Sequence, residues 1–162
     1  MNVSFRADPP APGAARELLV EADGGSRGNP GRAGSGTVVI DPVTGEVLVE
    51  IGIYVGIASN NVAEYRALIA GVTKAIEIDP HAVLHVRMDS KLVVEQMSGR
   101  WKIKHPDMAD LAAEAREILS GTPVKFEWIP REQNSRADRL ANEAMDKMRS
   151  FERGHEAHGA TL

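Results

Sequence analysis

The sequence predicts an α/β domain: a five-stranded mixed sheet, three antiparallel strands and then parallel ones, with helices on both faces. Three observations predict it. Short apolar runs separated by turn residues fill the first third of the chain, the hydrophobic period then changes from that of a strand to that of a helix, and from there strands alternate with helices. The length of 162 residues suits one core, and a composition of 43% hydrophobic and 26% charged residues excludes a wholly disordered, collagen-like or low-complexity chain.

Residues 1–16 hold three of the nine prolines and several small residues, so they are expected to form a disordered leader ahead of a domain over 17–150. Leu18-Leu19-Val20-Glu21-Ala22-Asp23 is an apolar run ending in a glycine-rich turn, which suits a strand buried on both faces. Gly34 to Ile40 and the alternating stretch from Glu46 to Gly56 read as two more strands, joined by the hairpin residues Asp41 to Gly45. From Asn60 to about Ile78, Tyr65, Leu68, Val72 and Ala75 or Ile76 fall on one helical stripe, which Asp79-Pro80 ends. Val83 to Met88 is a fourth strand closing on Asp89, after which Ser90 can cap a short helix from Lys91 to about Ser98. Pro106-Asp107 opens a helix with Leu111, Ala115, Ile118 and Leu119 on its apolar side, and Val124 to Ile129 is a fifth strand. From about Ser135, Ala137, Ala141, Ala144 and Met148 recur at helical spacing, and the tail over 151–162, lacking any apolar period, is expected to be flexible.

The absence of cysteine excludes disulfide scaffolds, thiol nucleophiles and cysteine-ligated metals. No apolar run approaches the roughly 20 residues that cross a bilayer, and the N-terminus lacks the apolar stretch of a secretory signal, so a soluble, cytoplasmic protein is expected. The formal net charge of −4 argues weakly against a nucleic-acid partner, because a site of clustered carboxylates would account for it. Residues 87–104 run the other way, with Arg87, Lys91, Arg100, Lys102 and Lys104 against Asp89 and Glu95, although a solvated face explains that equally simply.

Four acids need a further explanation. Glu64 and Asp138 fall in first turns of helices, where an acid stabilises by about 0.3–1 kcal/mol and is ordinary. Asp23 and Asp89 each close an apolar strand, an expensive place for an ion unless it is paired, hydrated or coordinating. Oxygen ligands of this kind suit magnesium, with manganese as the alternative, and two such ions about 4 Å apart can work on the two sides of a phosphodiester.

The residues around these acids carry a specific resemblance. Asp23-Gly24-Gly25-Ser26-Arg27-Gly28-Asn29-Pro30-Gly31 resembles the first signature of type I ribonucleases H, and Ser59-Asn60-Asn61-Val62-Ala63-Glu64 the second. Met88-Asp89-Ser90 resembles the third, and Asn134-Ser135-Arg136-Ala137-Asp138-Arg139-Leu140-Ala141 the fourth. The resemblance spans about Leu18 to Met148. It implies the ribonuclease H-like fold and hydrolysis of the RNA strand of an RNA–DNA hybrid with two magnesium ions, leaving 5′-phosphate and 3′-hydroxyl ends. It also implies that Asp23 bridges both ions, that Asp138 completes the water-activating site, and that Glu64 and Asp89 hold the second ion. Asn29, Asn60 and Asn61, with Ser26 as a weaker member, are the implied readers of the hybrid minor groove, where an amide can both give and accept hydrogen bonds with a 2′-hydroxyl. Ser59 and Asn61 could also seat a DNA phosphate at the helix N-terminus. The bland alternatives are that Asn29 shapes a turn before Pro30 and that Asn60 caps its helix.

Three departures from the family pattern stand out. The usual mobile histidine before the fourth acid is missing, and the corresponding loop is Pro130-Arg131-Glu132-Gln133-Asn134, so Arg131 or Glu132 is the candidate substitute. Lys91 replaces a glutamine that contacts RNA. The extra basic helix that clamps the DNA strand is absent, with Trp101 among Arg100, Lys102 and Lys104 as a reduced version or, equally, as a core anchor. His155 and His158 are assigned no role. The rival readings are a hybrid-binding module without catalysis and another nuclease of the same superfamily. The chain is expected to act as a monomer and could be one domain of a longer fused protein.

Overall fold

The protein is described by a computed structural model over residues 15–154. Most of the expected leader, and the tail beyond Gly154 with His155 and His158, lie outside the described residues. Six strands form one sheet: β1 (Glu17–Arg27), β2 (Gly31–Asp41), β3 (Glu46–Ala58), β4 (Val83–Met88), β5 (Val124–Trp128) and β6 (Phe151–Gly154). Among the described residues four helices accompany them: α1 (Asn60–Ile78), α2 (Lys91–Met97), α3 (Pro106–Ile118) and α4 (Ser135–Lys147), with a short 3-10 helix over Arg131–Gln133. The sheet order is β5-β4-β1-β2-β3-β6, with β1, β2 and β3 antiparallel and β1, β4 and β5 parallel.

The alternation of side chains along the strands divides the core between two faces. Leu18, Val20 and Ala22 of β1 and Val39 of β2 pack with Leu68, Val72 and Ala75 of α1 and with α2 and α3. Leu19, Val38 and Ile40 face the other way, toward Leu140 of α4, with Val47 and Phe151 beside them. Helices therefore cover both faces, as the sequence predicts.

Two expectations are corrected. β1 does not end at Asp23: Gly24, Gly25 and Ser26 go on pairing with Ser35, Gly34 and Ala33, so the glycine-rich stretch is the arm of a hairpin whose tip is the Asn29-Pro30 turn, with that peptide bond cis. Asp23 instead lies one residue past the last β1–β4 pair, Ala22 with Met88, where the sheet loses a neighbour on one side. The sheet also has six strands rather than five, because Phe151–Gly154, expected within a flexible tail, pairs antiparallel with β3. The Phe151 ring lies over Gly52, where an added Cβ would stand 2.4 Å from its Cζ. Arg153 reaches both carboxylate oxygens of Glu143 at 2.9 Å, and Glu152 pairs with Lys74 at 2.9 Å. One aromatic ring and charge pairs hold this strand, so it carries no apolar period to read.

Two close approaches aim the helices at one end of the sheet. A Cβ on Gly24 would lie 2.2 Å from the Ala63 carbonyl carbon, and one on Gly36 would lie 2.2 Å from the Ala137 carbonyl oxygen. The bare backbone at these positions lets the first turns of α1 and α4 settle on opposite faces beside Asp23.

Candidate active site

Asp23, Glu64 and Asp89 come from β1, α1 and the loop after β4, and each offers a carboxylate oxygen within 4.8 Å of the other two. Asp23 is 6% exposed. Glu64 is held by the same close approach that seats α1, since its Oε1 accepts a hydrogen bond from the Gly24 N–H at 2.8 Å. Asp89 Oδ1 accepts from Asn134 Nδ2 at 2.9 Å, and its carbonyl oxygen accepts from Trp128 Nε1 at 3.1 Å. Asp138, in the first turn of α4, lines the same pocket of about 310 Å³ but stands outside the close group of three.

Burial and like charge act together here. Burial pushes the Asp23 carboxyl well above the usual carboxylate range, and the charges of Glu64, Asp89 and Asp138 push it further. Burial also raises Glu64, with Asp89 adding to the shift and the Gly24 N–H opposing it. Two residues earlier on the same face of β1, Glu21 is equally buried but lies near Arg87 at 3.4 Å and Arg136 at 3.5 Å. The four site acids take part in no such ion pair among the described residues. An all-oxygen donor set with uncompensated charge fits a hard divalent cation.

The other expected residues divide. Ser26, Asn60 and Arg131 line the acidic pocket. Asn29 Oδ1 accepts from the Asn60 N–H at 3.1 Å, which ties the hairpin tip to the start of α1. The cap of α1 is Ser59, accepting from the Val62 N–H at 3.2 Å, and this corrects the alternative in which Asn60 caps the helix. Asn61 is part-buried in the same turn and, like Ser59, stands outside the acidic pocket. Lys91 is also outside it, with Nζ 3.5 Å from Glu95 Oε2 and 5.7 Å from the centre of the Trp128 ring. Trp101 is 46% exposed, so the core-anchor alternative does not hold.

Sequence reasoning missed Asn134 and Trp128, which hold Asp89, and Arg27 and Asn142, which line the pocket and pair with each other at 3.2 Å. Asn134 stood inside a recognised motif, but as a helix cap it would be expected to face its own helix.

Residues 21–144 match the protein family described as Reverse transcriptase-like. The chain is 53% identical over 131 residues to "Bifunctional protein Rv2228c" of Mycobacterium tuberculosis, a match covering 80% of this chain and 36% of that protein, so the chain spans little more than a third of that relative. The solved N-terminal RNase H domain of rv2228c from Mycobacterium tuberculosis, a fusion with maltose binding protein, superposes with a TM-score of 0.78 at 51% identity, covering 82% of this chain and 96% of that one. LC11-RNase H1 in complex with an RNA/DNA hybrid gives a TM-score of 0.77 at 41% identity, covering 81% and 98%.

Proposed function

The chain belongs to the ribonuclease HI-like family, and from that premise we propose that it is an endonuclease hydrolysing the RNA strand of RNA–DNA hybrids with divalent metal ions, leaving 5′-phosphate and 3′-hydroxyl ends. The observation that carries this reading is the convergence of three carboxylates from three elements within 4.8 Å, none of them in an ion pair among the described residues. LC11-RNase H1, structurally similar over most of this chain, is solved with an RNA/DNA hybrid, which supports the choice of substrate.

Asp23, Glu64, Asp89 and Asp138 would hold the ions, two of magnesium or manganese. When bound, these supply water activation and charge stabilisation at the leaving oxygen. The chain's own residues do the positioning. The Gly24 N–H orients Glu64, Ser26 and Asn60 lie on the pocket wall for contact with the minor groove, and Asn29 holds the Asn60 backbone in place. Arg131 lines the pocket from the loop where the family pattern has a histidine, and it is assigned to the scissile phosphate. Ser59 and Asn61 at the start of α1 are assigned to a DNA phosphate, and Lys91 and Trp101 to the nucleic-acid backbone.

The stretch over 98–105 between α2 and α3 leaves no room for an extra basic helix, so this member works without the protrusion. We assign the activity to a cytoplasmic monomer, which can also be one module of a fused protein, as the length of the Mycobacterium relative suggests.

The test is cleavage of an end-labelled RNA–DNA hybrid beside matched DNA and RNA duplexes, in magnesium, manganese or EDTA, for wild type and Asp89→Asn. Metal-dependent cutting of the hybrid's RNA strand, lost in Asp89→Asn, is the expected result. Tight hybrid binding without cutting would make the chain a binding module, and cutting of DNA would place it among other nucleases of the superfamily.

A further inference from the structure

Asn134, between the 3-10 helix and α4, is fully buried. It occupies the N-cap of α4, where an asparagine ordinarily turns its side-chain oxygen onto free N–H groups of its own helix. Here it makes no capping bond. Its Nδ2 donates instead to the Ala22 carbonyl oxygen and to Asp89 Oδ1, both at 2.9 Å, while its Oδ1 has no hydrogen-bond partner among the described residues. Exchanging the amide oxygen and nitrogen would set an acceptor against a carbonyl and a carboxylate, so the orientation is fixed by its partners.

An uncapped helix and an orphaned buried acceptor are both unfavourable for folding. Both follow from aiming one amide group at two strand ends. Ala22 is the last residue of β1 to pair with β4, and its partner Met88 immediately precedes Asp89. The amide therefore joins the two strands at the point where Asp23 and Asp89 leave their shared ladder.

We propose that Asn134 is a positioning residue for cation binding. By engaging Oδ1 it fixes the rotation of the Asp89 carboxylate, which then presents its remaining lone pairs toward Asp23 and Glu64, and its N–H offsets part of the repulsion among the three acids. This rests on the reading of the acid cluster as a metal centre.

The test is Mn²⁺ binding to the whole chain by titration calorimetry without nucleic acid, for wild type, Asn134→Ala, Asn134→Ser and, as a control for lost stability, the core variant Val39→Ala. Serine at this position can cap α4 and leaves no orphaned amide oxygen, so Asn134→Ser folds even if Asn134→Ala does not. The expected result is Mn²⁺ affinity weakened roughly 10- to 100-fold in both Asn134 variants and unchanged in Val39→Ala. In cleavage assays the magnesium needed for half-maximal rate rises by a similar factor, while KM for the hybrid at saturating magnesium stays at the wild-type value. Wild-type Mn²⁺ affinity in Asn134→Ser, or a raised KM with metal affinity intact, would overturn the positioning role alone. A wild-type chain that binds no Mn²⁺ would overturn the metal-centre reading, and this proposal with it.

Discussion

Asp23 and Glu64 meet a dry environment and a neighbouring like charge together, so in the metal-free protein both bind protons more tightly than they would in the unfolded chain. The folded state then carries more protons, and the stability these groups contribute is present at acid pH and lost as pH rises through their raised values. Metal-free protein is therefore expected to lose thermal stability from about pH 5 upward through neutrality, and magnesium is expected to restore it most at the high end. Asp89→Asn removes one of the repelling charges. It is expected to stabilise the metal-free protein by on the order of 1 kcal/mol, or about 3 °C in Tm, while removing the stabilisation by magnesium and the cleavage. Thermal melts of both proteins at several pH values, with magnesium or EDTA, check this, and a metal-free Tm that rises with pH would contradict it. Asp23 and Asp89 were legible in the sequence because an acid closing an apolar run has no folding task there, whereas Glu64 and Asp138, ordinary acids for first helical turns, were legible only through the motifs around them. Asn134 was not, since capping rules assign its side chain to α4, and only the fold shows that it reaches Asp89 across the sheet.

At the scale of elements, the site depends on how closely two helices approach the sheet. An alanine at Gly24 would place Cβ 2.2 Å from the α1 backbone, and one at Gly36 would place it 2.2 Å from that of α4. Gly24→Ala moves α1, which carries Glu64, and Gly36→Ala moves α4, which carries Asp138. Each is expected to cost about 3 kcal/mol and to weaken Mn²⁺ binding, as denaturant melts and calorimetry would show. β6 makes a different contribution. The cationic groups of Lys147 and Arg153 stand 5.7 and 4.6 Å from the centre of the Phe151 ring, which packs over Gly52 and is not part of the pocket lining. Phe151→Ala is expected to cost about 2 kcal/mol with metal affinity unchanged, whereas Arg153→Ala, which breaks two surface ion pairs, with Glu143 and Glu50, is expected to cost about 1 kcal/mol. The strands and helices with an apolar period were readable in order and nearly in extent. β6 was not, because its hold comes from residues far apart in sequence, nor was the far arm of β1, because glycine reads as a turn even when both flanking residues pair in a ladder.

Across the whole molecule, four acids and the arginines Arg27 and Arg131 line the pocket where ions are expected, and further cations lie outside it. The net charge of −4 hides this arrangement. Outside the pocket, Lys91, Lys102 and Lys104 are exposed, with Trp101 exposed in the same stretch as the last two. Of these lysines, only Lys91 has an ion-pair partner among the described residues, Glu95, which Arg100 also engages. On the proposed reading, with only the stretch over 98–105 between α2 and α3, hybrid affinity would rest on few phosphate contacts, each releasing counterions as it forms. If the three lysines make one contact each, they contribute about −2.7 to the slope of log K against log salt, which between about 50 and 200 mM weakens binding about 40-fold. Substituting Lys102 and Lys104 together by alanine is expected to make the slope shallower by about 1.8 without changing which strand is cut, because phosphate contacts carry no information about strand. Titrating a fluorescent hybrid into wild type and the double variant across a salt series, with calcium in place of magnesium to slow cleavage, measures the slope. An unchanged slope in the double variant would mean that the hybrid crosses the molecule on another side of the pocket, over Arg27 and the hairpin tip.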